Sequence, residues 1–337
     1  MKKYMINKLK QMNFNRMDKL AEIISKKENV KKSYIKRDMF INFLKYGIGY
    51  TDYFKSDYIN LTEEEKKTHL TGKNYVPILN YLNNKQYRVV TNDKIVFNRI
   101  FDKYIGREWI DLRISNSSDL ERFIKKHKTV FAKRRADFGG HGIRKIESKD
   151  IKNYKDLYDE LLKNGNVLVE EEIKQHTSLK KLNPYAVNTL RIVSLLKDGK
   201  VHILTNAFRL NITDEVAITC ADAFAKVNEK GEFLTDITDD AGVYYKEHPI
   251  TKVKFNSVKI PFVKESFEMI KEAHKLIPDI RYVGWDVVIT NDGPIIMEGN
   301  EYPSYGLVQY YQVSDKKTGH LKEIKDVLGD EWNNIKF

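Results

Sequence analysis

The chain has 337 residues, a length that usually divides into two or three packed subdomains rather than one core. Hydrophobic residues make up 41% of it and charges of both signs alternate along most of its length, which excludes disorder on a large scale. The net charge of +12 is concentrated at one end: residues 1–37 hold ten Lys and two Arg against Asp18, Glu22 and Glu28, about +9, and the remainder is close to neutral.

The single cysteine, Cys220, excludes an internal disulfide and a cysteine-built metal centre, and fits a reducing compartment. No apolar run approaches the roughly 18 residues that a spanning helix needs, and the first residues lack the apolar core of a signal peptide. The cytoplasm is the expected location, with the inner face of the membrane as a variant of it.

In chain order, residues 1–37 come first. Met5, Ile6, Leu9, Met12, Met17, Leu20, Ile23 and Ile24 lie among the lysines, a pattern that suits peripheral contact with an anionic membrane surface. It equally suits a solvated first helix. No nucleic-acid-binding module accompanies the charge, so nucleic acid is not an expected partner. From 1 to about 90 the periodicity is mostly helical. Thr62 followed by Glu63, Glu64 and Glu65 marks a helix start, and Thr91-Asn92-Asp93-Lys94 ahead of Ile95, Val96 and Phe97 marks another.

From about 105 strands alternate with helices. Val130 to Lys133 is a short apolar run, followed by Asp137-Phe138-Gly139-Gly140-His141-Gly142 and the alternating stretch Ile143 to Ile146. Tyr154 to Leu162 reads as a helix and Val167 to Glu170 as a strand. Thr189–Leu196 and Val201–Leu210 read as a hairpin around Asp198-Gly199. Val263 to Leu276 is an amphipathic helix. Tyr282–Thr290 and Pro294–Glu298 form a second hairpin around Asn291-Asp292-Gly293. Hairpins with intervening helices predict an α+β fold rather than a doubly wound parallel sheet.

Several of these elements carry side chains suited to chemistry. Lys133 at a strand end, before a glycine-rich turn, suits a cover over phosphates: glycines let backbone N–H groups approach the oxygens, and the lysine adds a point charge. The same residues also suit an ordinary turn. Asp286, Glu298 and Asn300 converge if the second hairpin forms, and three hard oxygen ligands without Cys or His point to Mg²⁺. The competing reading for Asp286 is an ion pair with Lys or Arg. Arg191 opens an apolar strand and suits either a strand-edge ion pair or stabilisation of transferring charge. No nucleophile elbow and no Walker loop occur.

These pieces, in this order, resemble the ATP-grasp superfamily, and within it the sugar-transfer-associated, teichuronopeptide-biosynthesis-like branch. The resemblance is carried by "NDKIVFNRIF", "VFAKRRADFGGHGI", "VLVEEEIKQH", "LNPYAVNTLRIVSLL" and "GWDVVITNDGPIIMEGNEYPS", and spans about 40–310. It implies two α+β subdomains clasping ATP, with a helical region over 1–90, a lid subdomain over 91–175 and a metal-bearing subdomain over 176–325. It implies that Lys94 and Lys133 contact ATP phosphates and that Gly139 and Gly140 belong to the closing loop. Glu170, Glu171 and Ile173 would meet the adenine, and Gln175 or His176 would lie toward the ribose. Arg191 would hold the γ-phosphate or an acyl phosphate, and Arg209 the carboxylate substrate. Asp286, Glu298 and Asn300 would hold Mg²⁺. Where the branch has an Asn and a Gly-Gly pair, this chain reads Ala221-Asp222-Ala223-Phe224-Ala225-Lys226, a departure on the acceptor side.

The expected activity is ATP- and Mg²⁺-dependent joining of a carboxylate to an amine through an acyl phosphate, in the synthesis or decoration of a cell-surface polysaccharide such as a capsule. A kinase acting on a glycan or small molecule, and a non-catalytic nucleotide-binding scaffold, are the alternatives.

Overall fold

The computed structural model describes residues 12–136, 142–213, 223–239, 243–310 and 317–337. The N-terminal region is a helical unit led by α1 (Phe14–Glu28) and α2 (Lys32–Tyr46), which form an antiparallel pair. Asn13 caps α1 by accepting from the Arg16 N–H, and Asn29 ends it in the left-handed conformation. Ala21 and Ile24 of α1 meet Ile35 and Met39 of α2 in a core that also takes Tyr53 and Tyr58, with Met17 and Leu20 packed at its edge. Met17, Leu20 and Ile24 of the apolar stripe read as a membrane-facing surface are therefore turned into the protein, whereas Ile23 is exposed. Met5, Ile6 and Leu9 lie outside the described residues.

Further on, Thr62 and Glu65 form a reciprocal capping box, as their spacing predicts. Helix α3 (Gly72–Leu82) leads into the larger sheet. Helix α4 (Lys94–Ile100) starts at Asp93, whose carboxylate accepts from the Ile95 and Val96 N–H groups.

The smaller sheet consists of β1 (Trp109–Asp111), β2 (Thr129–Lys133), β3 (Arg144–Glu147) and β4 (Leu168–Glu171), antiparallel in the order β1-β4-β2-β3. Strand alternation divides its residues between two faces. Val130, Ala132 and Val169 pack under α5 (Ser117–His127) and α6 (Tyr154–Lys163), against Leu120, Ile124, Leu157 and Leu161. Lys133 and Glu170 fall on the opposite face.

The larger sheet has seven antiparallel strands: β5 (Thr189–Lys197), β6 (Lys200–Leu210), β7 (Ala223–Ala225), β8 (Ile237–Thr238), β9 (Tyr244–Tyr245), β10 (Tyr282–Thr290) and β11 (Gly293–Asn300). They run in the order β11-β10-β5-β6-β7-β8-β9. One face buries Leu190, Ile192, Phe208, Trp285 and Val287 against α7 (Val263–His274). Trp285 is fully buried, and removing its roughly 200 Å² from water is worth about 5 kcal/mol before the ordering cost is counted. Its indole N–H donates to Ser194 Oγ at 2.8 Å, Ser194 Oγ lies 2.8 Å from His274 Nδ1, and His274 Nε2 lies 2.8 Å from the Ile280 carbonyl. The carbonyl can only accept, so Nε2 carries the proton.

The second face buries Val193, Leu195 and Tyr282 under α3 and α8 (His320–Leu328). This apolar cover stops short of the strands' other end. There the same alternation presents Arg191, Arg209 and Asp286. The fold is thus the α+β one that the hairpin pattern predicts, and among the described residues no helix is long and apolar enough to cross a membrane.

Candidate functional site

Asp286 sits at the centre of the site. It is buried and lies opposite Arg191 on one side and Glu298 on the other. Arg191 Nε and Nη2 donate to its two oxygens at 2.6 and 2.7 Å, and Arg209 Nη1 approaches both at 3.5 Å. Burial alone would suppress its ionisation, but the two guanidinium groups overcome that and hold Asp286 below the usual carboxylate range. The ion pair expected for Asp286 is thus formed, with a carboxylate edge still beside Glu298.

Glu298 reaches this position through a bulge. The register shifts between Asp286 and Val287, so that Asp286 faces Glu298, Val287 faces Ile296, and Met297 is the extra residue. Glu298 is open to solvent on one side and walled by protein on the others. That enclosure, followed by the charge of Asp286, pushes its carboxyl above the ordinary value. Asn300 Nδ2 lies 3.4 Å from Glu298 Oε1. Between them Gly299 is tightly placed: a Cβ there would stand 3.0 Å from Phe97 and 3.3 Å from Trp285, so these rings would have to give way. Gly284 is similarly constrained, since a Cβ would fall 2.5 Å from Pro303 and 3.2 Å from Arg191 Nη1. Close-packed glycines thus set the backbone that carries the acids and the arginine.

The oxygen donors Glu298 and Asn300, backed by Asp286, fit a hard divalent cation. Two neighbouring carboxyls in a partly desolvated pocket favour the charged form only with positive charge beside them.

The smaller sheet contributes Lys133 and Glu170, which form an ion pair on its open face. Glu170 is fully enclosed and also accepts from Asn98 Nδ2 at 2.8 Å and Arg107 Nε at 3.0 Å. Burial opposes its ionisation, but Arg107, Lys133 and the Asn98 amide prevail and hold it well below the ordinary 4.5. Arg107 also donates from Nη1 to the Ile296 carbonyl at 3.0 Å and from Nη2 to the Met297 carbonyl at 3.3 Å. One side chain thereby ties the Lys133–Glu170 pair to the strand bearing Glu298. Lys94 joins the same corner, its backbone N–H donating to the Arg135 carbonyl at 3.0 Å, next to the Asp93–Arg135 ion pair.

The other expected residues are placed differently. Glu171 points to the helical face of the smaller sheet, where its Oε2 lies 3.1 Å from His127 Nδ1, and its N–H donates to the Glu108 carbonyl. Its side chain is therefore turned away from the face that holds Lys133, which leaves the expected contact with a nucleotide base to its backbone. Ile173 is half-buried in the connection between the sheets. Gln175 is buried and uses its side-chain carbonyl to accept the Asn188 N–H at 2.7 Å. The His176 N–H donates to the Ile289 carbonyl at 2.8 Å. That position is three residues along β10 from Asp286, roughly 10 Å at ordinary strand rise. Gln175 and His176 thus stand apart from the acidic cluster. Gly139 and Gly140 lie outside the described residues, as do Ala221 and Asp222.

The sequence reading missed Arg107 and Asn98. Asn98 carries a signal, being a polar residue on the apolar face of an amphipathic helix. Arg107 follows Gly106, whose positive φ of 53° and contact with Ile295 mark a tight approach to β11.

Residues 79–325 match the sugar-transfer associated ATP-grasp family, and the chain belongs to that family. No curated protein matches it significantly. Among solved structures it is similar to the ATP-grasp ligase PsnB complexed with a minimal precursor, at 16% identity over 68% of this chain and 60% of that one, with a TM-score of 0.42. It is also similar to biotin carboxylase from Campylobacter jejuni, at 12% identity over 71% of this chain and 46% of that one, TM-score 0.46. A third is the N5-carboxyaminoimidazole synthase of Aspergillus clavatus, at 11% identity over 65% and 46%, TM-score 0.42. The chain matches less than two thirds of the length of each of these proteins.

Proposed function

We propose that the protein is an ATP- and Mg²⁺-dependent ligase that joins a carboxylate to an amine, acting on a sugar acid or amino acid in the assembly of a cell-surface polysaccharide. Support comes from family membership together with one observation: Arg107 connects the Lys133–Glu170 pair to the bulged strand holding Glu298 and Asn300, beside Asp286, Arg191 and Arg209.

In this reading Lys133 and Lys94 lie along the polyphosphate, and Glu298 and Asn300, backed by Asp286, would hold Mg²⁺. The bound cation supplies charge neutralisation of the phosphate oxygens. Arg191, fixed in direction by Asp286, presents its remaining N–H groups to the transferring phosphoryl group. Arg209 pairs with the incoming carboxylate. A carboxylate oxygen attacks the γ-phosphorus and ADP leaves. The amine then attacks the acyl carbon, loses a proton, and inorganic phosphate departs.

Mass spectrometry of products formed from ATP, a panel of uronic acids and amino acids, and candidate amines tests this. Release of ADP and phosphate that depends on both carboxylate and amine, with an amide product, is the expected result. ATP turnover yielding only AMP, or a stable phosphorylated product without phosphate release, would overturn it.

A further inference from the structure

Helix α2 carries large apolar side chains on both of its faces. Ile35, Met39 and Phe43 are buried inside the N-terminal unit, yet Tyr34, Phe40, Ile41 and Leu44 are 54%, 48%, 44% and 47% exposed. Tyr34, Ile41 and Leu44 follow one stripe at positions i, i+7 and i+10, and Phe40 adjoins it. Four half-exposed apolar side chains grouped on the outer face of one helix mark an interaction surface.

The charges around this stripe indicate what covers it. Arg37 lies within it at i+3, and Lys31 lies just before its start. Among the described residues, Arg37 and Lys31, like Arg16 and Lys19 on the exposed side of α1, make no ion pair. Lys32 and Lys36, by contrast, are occupied by Asp18. The described residues 12–37 carry six Lys and two Arg against Asp18, Glu22 and Glu28, about +5.

We propose that the outer face of α2, together with the exposed cations Arg16, Lys19, Lys31 and Arg37, docks on an anionic lipid surface. Apolar side chains enter the headgroup boundary and the unpaired cations meet lipid phosphates. A second copy of the chain fits less well, because a two-fold contact through this face would bring Arg37 and Lys31 of the two copies within about a Debye length, 8–10 Å, of each other. Nucleic acid would satisfy the cations and leave the apolar stripe unused. This inference is independent of the proposed ligase chemistry.

The test is co-sedimentation of the full chain with vesicles of phosphatidylcholine containing roughly 30 mol% phosphatidylglycerol, against pure phosphatidylcholine. Binding to the anionic vesicles only, reduced about tenfold in an Ile41→Ser/Leu44→Ser variant and several-fold in Arg37→Glu, is the expected result. The circular dichroism melt and ATP turnover of each variant are measured alongside. Phe40→Ser stands in if the double variant does not fold. Absence of binding to anionic vesicles, or unchanged binding in folded Ile41→Ser/Leu44→Ser, overturns the proposal. So does a dimer in sedimentation velocity that the same substitutions dissolve, or binding abolished only by removing residues 1–11.

Discussion

The guanidinium of Arg191 takes both oxygens of Asp286, at 2.6 and 2.7 Å, so neither residue has a fixed position without the other. A lysine cannot reproduce this paired geometry. Arg191→Lys is expected to slow turnover by about a hundredfold or more, with a much smaller effect on KM for ATP, because a misaimed cation is felt most in the transition state. Arg191→Ala leaves Asp286 buried with only Arg209 nearby, and should cost about 3–5 kcal/mol in urea unfolding. Turnover that survives Arg191→Lys would show that the pair is structural only.

Glu298 presents the opposite case, a carboxyl raised by its enclosure and by Asp286. Removing its charge should relieve repulsion rather than create it. Glu298→Gln is therefore expected to melt at or slightly above the wild-type temperature in the absence of Mg²⁺, to lose the upward shift given by Mg²⁺ with ADP, and to lose turnover. A variant with an intact Mg²⁺-dependent shift would exclude Glu298 as a ligand.

Acid stability should fall in two windows. His274 is pushed down to about 4 by burial, the dominant influence, from an ordinary 6.5. Its folded value lies below its unfolded one, so its contribution is present above pH 6.5 and is lost as pH falls toward 4. The difference is worth about 3 kcal/mol. Glu170 is also held below its ordinary 4.5, so its contribution persists above that pH and is lost only below it. Urea titrations between pH 7 and 3 should show the first slope removed in His274→Gln and the second removed in Glu170→Gln.

Gly284→Ala tests the packing beneath the arginine. The added methyl meets Pro303 at 2.5 Å and Arg191 Nη1 at 3.2 Å, so one of them has to move. A loss of about 1–3 kcal/mol in stability is expected. Turnover should fall by more than that loss alone accounts for, read at a temperature where the variant is fully folded.

Much of this arrangement was legible in the residues because it is local. Asn291-Asp292-Gly293 fixes the β10–β11 hairpin, and the hairpin brings Asp286 opposite Glu298. The capped start at Asp93 and the glycine between Glu298 and Asn300 are equally local signals. The run Glu170-Glu171-Glu172 does not by itself separate the side chains of its members. A strand sends neighbouring side chains to opposite faces, and only Glu170 shares a face with Lys133. Arg107 was invisible for another reason. Its partners Glu170, Ile296 and Met297 are 63, 189 and 190 residues away, and no spacing in a sequence announces a contact of that kind.

Arg107 also has a mechanical meaning. Its bonds to Glu170 on one sheet and to the Ile296 and Met297 carbonyls on the other make it a pivot. Sliding one sheet over the other would break all of them together, whereas tilting spares them. Strands spaced at about 4.8 Å put β3, two strands from Glu170, roughly 10 Å from that pivot. A tilt of about 15° would then swing β3 through roughly 2.5 Å while Glu170 hardly travels. Any such tilt would be widest at the outer strand and smallest at Arg107.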